Sequence, residues 1–374
     1  MKYCLLYLKT KNINLIKDMG MIPYKLHKNF NYDSTVATYN HDEFIYLKDE
    51  VKGLKIDFVE KKHDNFSLDG AKYLIKKAKQ IDILQVFHVT LYSVVYAFIY
   101  KFFNPKGKLY IKLDCSYKLI DRIKSLNFIM RIMLNRYFHK ADLISVEQQS
   151  LFRELKQLFP NHRDKLINIP NGVDYDYLDK MNIHYDFNVK ENIILNVARI
   201  GAPEKNTEML LEAFSKIENI ENNGWKLVLV GPIEDRFQEY INKYFEENPL
   251  LKEKIIIKGA ITDRKQIYEE YNRSKIFCLS SEFESFGIAL IEAAALGDII
   301  VSTDVGIARE LVTSGNGAVV PVNDTEALSM ALSKFMNDPK AQVHSEKTYE
   351  ICRDKFDWND IVSKLNIHIE NLFI

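Results

Sequence analysis

The sequence predicts an α/β protein made of two doubly wound parallel-sheet domains. Three observations lead there. Short apolar runs alternate with longer helical stretches along almost the whole chain, the pattern of strands joined by crossover helices. The alternation stops at a polar, turn-rich segment, Tyr175 to Lys190, and restarts at Asn192. The 374 residues also exceed what one hydrophobic core usually organises.

In the first half, strands are expected at Tyr3–Leu8, Thr35–Thr38, Lys55–Val59, Asp82–Phe87, Leu109–Leu113, Leu143–Val146 and Leu166–Ile169. Helical patterns lie between them at Asp69–Gln80, Thr90–Phe103, Tyr117–Phe138 and Gln148–Phe159. Ile169-Pro170-Asn171-Gly172 then reads as a strand end and turn. In the second half, strands read at Ile193–Val197, Lys226–Val230, Lys254–Ile257, Ile276–Leu279, Ile299–Ser302 and Ala318–Val320, again with helices between. Parallel sheets of this kind take ligands at the carboxyl ends of their strands, so residues just after each strand matter most.

Apolar residues make up 47% of the chain and aromatic ones 12%, which excludes disorder. Fifty-one basic residues balance 51 acidic ones, so net charge points to no nucleic-acid partner. The four cysteines lack paired spacing and suit a reducing compartment. MKYCLLYLKTKN is too briefly apolar for a signal peptide, and Leu91–Phe103 is too short to span a bilayer. The expectation is a cytoplasmic protein, soluble or peripheral on the inner membrane face.

The richest stretch is Cys278–Gly297, CLSSEFESFGIALIEAAALG. It reads as a strand end, a polar turn, and a helix from Phe286 to Leu296. Glu284 and Glu292 stand eight steps apart, which leaves them about 80° apart around a helix, near enough to serve one ligand. Between them, the amides of Phe286, Gly287 and Ile288 open a helix, where free N–H groups favour an anion. An ordinary surface helix with two glutamates is the alternative. Arg199 ends the first strand of the second domain, and Lys205 follows just before a helix. Together they offer a fork and a point charge for a diphosphate.

IPNGVD at 169–174, VAR…KN at 197–206, Glu284-x7-Glu292 and TDVG at 303–306 occur in order. The set resembles the retaining glycosyltransferases of family 4, which have the GT-B fold: two Rossmann-like domains with a cleft between them. The resemblance is close from about residue 165 to 325 and looser before. It implies that residues 1–185, with a terminal helix 357–374 crossing back, form the acceptor-side domain, and that 186–356 bind the donor. Arg199 and Lys205 would neutralise the diphosphate, Glu292 would hold the ribose, and Glu284 would face hydroxyls of the transferred sugar. The base would lie near Ala260 and Ile261. The donor would be a nucleoside-diphosphate sugar, UDP being the expected nucleotide, with no cofactor and no metal. The acceptor would be a hydroxyl of a saccharide, a lipid-linked glycan or a protein. Asp174-Tyr175-Asp176 imitates a metal motif of another fold but sits in a turn.

The family's glycine-rich loop after the first strand is replaced here by Lys9-Thr10-Lys11-Asn12, with Gly20 as the remaining glycine for close backbone approach. His88 directly follows a strand and is a catalytic candidate alongside Glu284. Lys112 and Asp114 are acceptor-side candidates, or else a structural ion pair. Residues 118–140 combine Lys118, Arg122, Lys124, Arg131, Arg136 and Lys140 with many apolar side chains. Such a helix can lie on an anionic membrane; the alternative is a crossover helix with a solvated face. Two rivals to transfer stay open: a nucleotide-sugar epimerase or hydrolase, and a non-catalytic partner subunit.

Overall fold

A computed structural model of the protein describes residues 1–313 and 315–374. The chain forms two compact units, Met1–Gly172 with Trp358–Ile374, and Val173–Asp357. The division falls earlier than the expected 185/186 boundary. The reason is local: Tyr175, Tyr177, Leu178 and Ile183 carry the apolar side of that polar segment and are buried in the core of the second unit.

Unit 1 is a seven-stranded sheet: β1 (Lys2–Leu6), β2 (Asp33–Thr38), β3 (Lys55–Phe58), β4 (Ile83–Phe87), β5 (Lys108–Leu113), β6 (Leu143–Val146) and β7 (Leu166–Asn168). Its order is β3-β2-β1-β4-β5-β6-β7, with every pairing parallel. Unit 2 has β8 (Glu191–Val197), β9 (Lys226–Val230), β10 (Ile255–Gly259), β11 (Ser274–Leu279), β12 (Ile299–Thr303) and β13 (Ala318–Val320). Its order, β10-β9-β8-β11-β12-β13, is likewise all parallel. The strand order reverses between β1 and β4 and between β8 and β11, the positions where doubly wound sheets form crevices. Within β11, Phe277 and Leu279 enter one core while Ile276 and Cys278 enter the other. A sheet covered on both faces is why such strands read as unbroken apolar runs.

Several elements depart from expectation, among them the helices Tyr175–Lys180 and Ala341–Phe356. A helix at Asp18–Phe30, which contains Gly20 and Pro23, was not expected. The stretch expected as one helix over 117–138 is two, Tyr117–Ser125 and Phe128–Lys140. Leu126 is extended, and the Asn127 side chain accepts from the Met130 amide to start the second helix. The helix expected over 286–296 is shorter, Ile288–Ala294, because Gly287 adopts φ 89° immediately before it. The terminal helix Trp358–Asn371 does belong to unit 1, burying Trp358, Ile361, Leu365 and Ile369 with Met19, Ile22 and Leu26.

The lower edge of unit 2 is tied by a buried ion pair. Lys190 Nζ lies 2.6 Å from Asp298 Oδ1 and donates to the carbonyls of Ser274 and Tyr271, at 2.6 and 3.3 Å. Asp298 Oδ2 accepts from Ser274 Oγ at 2.7 Å. Both side chains are wholly buried. One ammonium thus joins the start of β11, the end of the preceding helix and the turn before β12.

Candidate functional site

The loops at the carboxyl edge of the unit 2 sheet carry most of the residues singled out from sequence. After β8, the backbone turns through Arg199 to a short 3-10 turn, Pro203–Lys205. Asn206, at φ 47°, reverses the chain, and its side chain accepts from the Met209 amide to cap the next helix. This loop is stapled to the one after β11: the Glu282 amide donates to the Glu204 carbonyl at 2.9 Å and Ser280 Oγ to the Lys205 carbonyl at 3.0 Å. The staple brings Lys205 Nζ to 2.6 Å from Glu284 Oε1, which also accepts from Ser281 Oγ at 2.8 Å. Both charged side chains are largely buried, so the contact is held rather than loosely sampled.

A third loop supports the second. The Ile307 amide donates to the Phe286 carbonyl at 3.0 Å, and Thr303 Oγ1 to the Ser281 carbonyl at 2.6 Å. Gly306 has φ 55°, and a Cβ there would stand 2.2 Å from the Phe286 carbonyl oxygen. Only glycine fits this approach.

Arg199 is more exposed and already engaged, by Glu204 at close range and by Glu234 Oε1 at 3.4 Å. Glu204 is held below the usual carboxylate range, first by a backbone hydrogen bond and then by Arg199. Glu292 is half-buried on the helix Ile288–Ala294 and accepts from Tyr271 Oη at 3.2 Å. Burial, and then the Glu292 charge, push the Tyr271 phenol well up, keeping it a donor. Ala260 is exposed, and Ile261 is half-buried against the core, both just past β10 on the same sheet edge. Arg199, Lys205 and Glu284 are thus gathered by two stapled loops. Phe286, Gly287 and Ile288 continue from Glu284, and Ala260 and Ile261 stand on a separate loop of that edge. Sequence reasoning missed Glu204, Glu234, Ser281 and Tyr271; the first two sit in loops at strand ends, where acids beside cations were the available signal.

Unit 1 holds the remaining candidates at the carboxyl edge of its own sheet. His88 follows β4 at φ 61°, its amide donating to the Lys112 carbonyl at 2.9 Å. Its own carbonyl accepts from Ser93 Oγ at 3.0 Å and Tyr137 Oη at 3.1 Å. Burial lowers the His88 pKa, more than nearby Asp114 raises it, so the ring is neutral near pH 7. Asp114 is half-buried. Two acceptor-side expectations need correction. Lys112 is wholly buried, with Nζ 2.9 Å from Glu147 Oε1, 3.6 Å from Asp18 Oδ2 and 3.4 Å from the Ile169 carbonyl. It is a structural ion pair, with Glu147 and Asp18 rather than Asp114. Burial opposes the Lys112 charge, but those two carboxylates outweigh it and hold the ammonium above its ordinary value. Burial also raises Glu147, and it raises Asp18 to about 6. Gly20 lies inside the helix Asp18–Phe30, where a Cβ would meet the Leu15 carbonyl oxygen at 2.0 Å. It permits helix packing and offers no ligand surface.

Residues 179–350 match the family of glycosyl transferases group 1. The match lies within the second unit, Val173–Asp357. Among curated proteins, the chain is 28% identical over 241 residues to a probable sucrose-phosphate synthase of Thermosipho melanesiensis, covering 61% of this chain and 54% of that protein. It is 24% identical over 229 residues to the serotype-specific mannosyltransferase WbdA of Escherichia coli, covering 59% and 28%. The chain therefore spans about half or less of these relatives' lengths. Among solved structures, HepE of Anabaena in complex with UDP superposes with a TM-score of 0.73 at 18% identity, covering 99% of this chain and 100% of that one. A glycosyltransferase from Rickettsia africae gives 0.73 at 20% identity, covering 99% and 98%. The chain thus has the GT-B fold.

Proposed function

We propose that the protein is a glycosyltransferase that moves a sugar from a nucleoside-diphosphate sugar, UDP being the expected nucleotide, to a hydroxyl acceptor with retention of configuration. The observation that carries this reading is the stapled pair of loops in the second unit, inside the residues that match group 1, which sets Lys205 against Glu284 beside Arg199. One cation there neutralises diphosphate charge while a carboxylate accepts from sugar hydroxyls. The helix that follows has seven residues and a correspondingly short dipole. Arg199 and Lys205 therefore carry more of the anion than the amides of Phe286, Gly287 and Ile288. Glu292, with its orientation set by Tyr271, is assigned to the ribose, and the loop at Ala260 and Ile261 to the base.

In the reaction, the bond from the anomeric carbon to the diphosphate oxygen breaks and a bond to the acceptor oxygen forms on the same sugar face. The acceptor proton leaves with the departing diphosphate. Arg199 and Lys205 stabilise the charge growing on that leaving group, the role a divalent ion has elsewhere. Glu284 orients and stabilises rather than attacking. Donor entry must first displace the carboxylates that hold both cations. On unit 1, His88, neutral near pH 7, and Asp114 are assigned to the acceptor side. A saccharide or lipid-linked saccharide acceptor is supported by relatives named as mannosyltransferases, including a phosphatidyl-myo-inositol mannosyltransferase of Mycobacterium leprae.

The test is product analysis with UDP-sugars in the presence of a chelator. A new glycoside with the donor's anomeric configuration supports the reading. An inverted product, free sugar alone, an epimerised nucleotide sugar, or full loss of turnover on chelation contradicts it.

A further inference from the structure

The helix Phe128–Lys140 buries Leu134, Tyr137 and Phe138 toward the sheet. At about 100° per residue, Phe128, Ile129, Ile132 and Met133 fall on the opposite side. They are exposed there, Phe128 at 78% and Ile129 at 69%. Soluble proteins seldom present that much contiguous apolar surface without a use for it. The packed neighbouring helix, Leu91–Phe103, repeats the arrangement: Leu91, Phe98 and Phe102 form one exposed stripe opposite buried Tyr96, Ala97 and Tyr100. Lys140 Nζ, 5.6 Å above the Phe98 ring, joins the two helices.

Charge selects the occupant. Between residues 117 and 140, Lys118, Arg122, Lys124, Arg131, Arg136 and Lys140 are exposed, against one exposed acid, Asp121. A chain with no net charge thus concentrates positive charge around the exposed Phe128 and Ile129. Arg131 also builds the corner: its Nε donates to the Leu126 carbonyl at 3.1 Å and Nη2 to the Lys124 carbonyl at 2.7 Å. That locks the break between the two helices and presents the apolar first turns of the second at a fixed edge. No helix among the described residues is long and apolar enough to cross a membrane; a basic amphipathic helix binds a bilayer by lying in its interface plane.

We propose that the corner formed by residues 117–140 docks unit 1 on an anionic lipid bilayer. The apolar turns from Phe128 to Met133 enter the headgroup region, and the lysines and arginines stay at the phosphates. The surface stands apart from the donor-site reading, since unit 2 binds a nucleotide with or without it.

The experiment is flotation of the full chain with vesicles of phosphatidylglycerol and phosphatidylcholine, compared with phosphatidylcholine alone, at low and high salt. Wild type is expected to bind the anionic vesicles and to be released by salt. Lys124→Ala with Arg136→Ala should lower partitioning by about 30-fold, roughly fivefold for each basic residue near the surface. Phe128→Ser with Ile129→Ser should abolish binding, with melting temperature and UDP affinity unchanged. Equal binding to neutral vesicles, or retention by both variants, overturns the proposal. So does light scattering that shows a wild-type dimer made monomeric by Phe128→Ser with Ile129→Ser, which would make the face a contact between copies of this chain.

Discussion

Replacing Lys190 by methionine removes the cation that offsets Asp298, 2.6 Å away and wholly buried. It also leaves the carbonyls of Ser274 and Tyr271 without the ammonium that now bonds them. Deleting one partner of a buried pair costs about 3–5 kcal/mol, because the other group must then stay charged in a poor solvent or take up a proton to become neutral. For a unit of this size that corresponds to a fall in melting temperature of about 10 °C. The assay is calorimetric unfolding of wild type, Lys190→Met, and Lys190→Met with Asp298→Asn. The double variant should recover at least half of the loss, since the stranded carboxyl is gone. Burial raises Asp298 to about 7 despite Lys190, and burial lowers Lys190, so desolvation outweighs attraction on both sides. The unfolded carboxyl titrates near 3.9, so this group's contribution is fully present below about pH 4 and lost as pH rises through about 7. Asp298→Asn should flatten that slope. A single-variant loss under about 1 kcal/mol, or a double variant as unstable as the sum of the singles, would refute the reasoning.

Other expectations concern the loops. Glu204→Gln should tighten UDP binding about two- to fivefold, because an exposed pair worth up to about 1 kcal/mol no longer competes for Arg199; titration calorimetry reads it, and weaker binding would make Glu204 a positioning group. Glu284→Ala should reduce sugar transfer far more than UDP affinity, measured by initial rates beside calorimetry, and equal losses would deny it a role at the sugar. Gly306→Ala should destabilise unit 2 by about 1–3 kcal/mol, because it forces the Phe286 carbonyl away at a positive φ. A melting curve like wild type would show that the loop has slack.

The fold was legible because each strand lies in a parallel sheet covered on both faces, which prints short apolar runs between helical ones. Boundaries at β6, β9 and β13 follow directly from such runs. The helix Asp18–Phe30 was not legible, since Gly20 reads in sequence as a loop glycine for close backbone approach but sits in a helix against Leu15. Nor was the break at Leu126 and Asn127, which rests on one capping side chain inside an otherwise helical pattern. At the candidate site, the residues on successive loops could be named from their order. Their engagement could not. Glu204 and Glu234 hold Arg199 through loop geometry, and Lys112 pairs with Glu147 and Asp18, which are far from it in sequence and meet only when the sheet forms.

The most direct test of the donor-site account is titration of UDP, without metal, into wild type and Lys205→Ala. A charge-assisted contact of about 1.5–3 kcal/mol predicts that the variant, still folded, binds roughly 10- to 100-fold more weakly. Equal affinity in the two proteins, or no UDP binding by wild type, would contradict the assignment of Lys205 and Arg199 to the diphosphate.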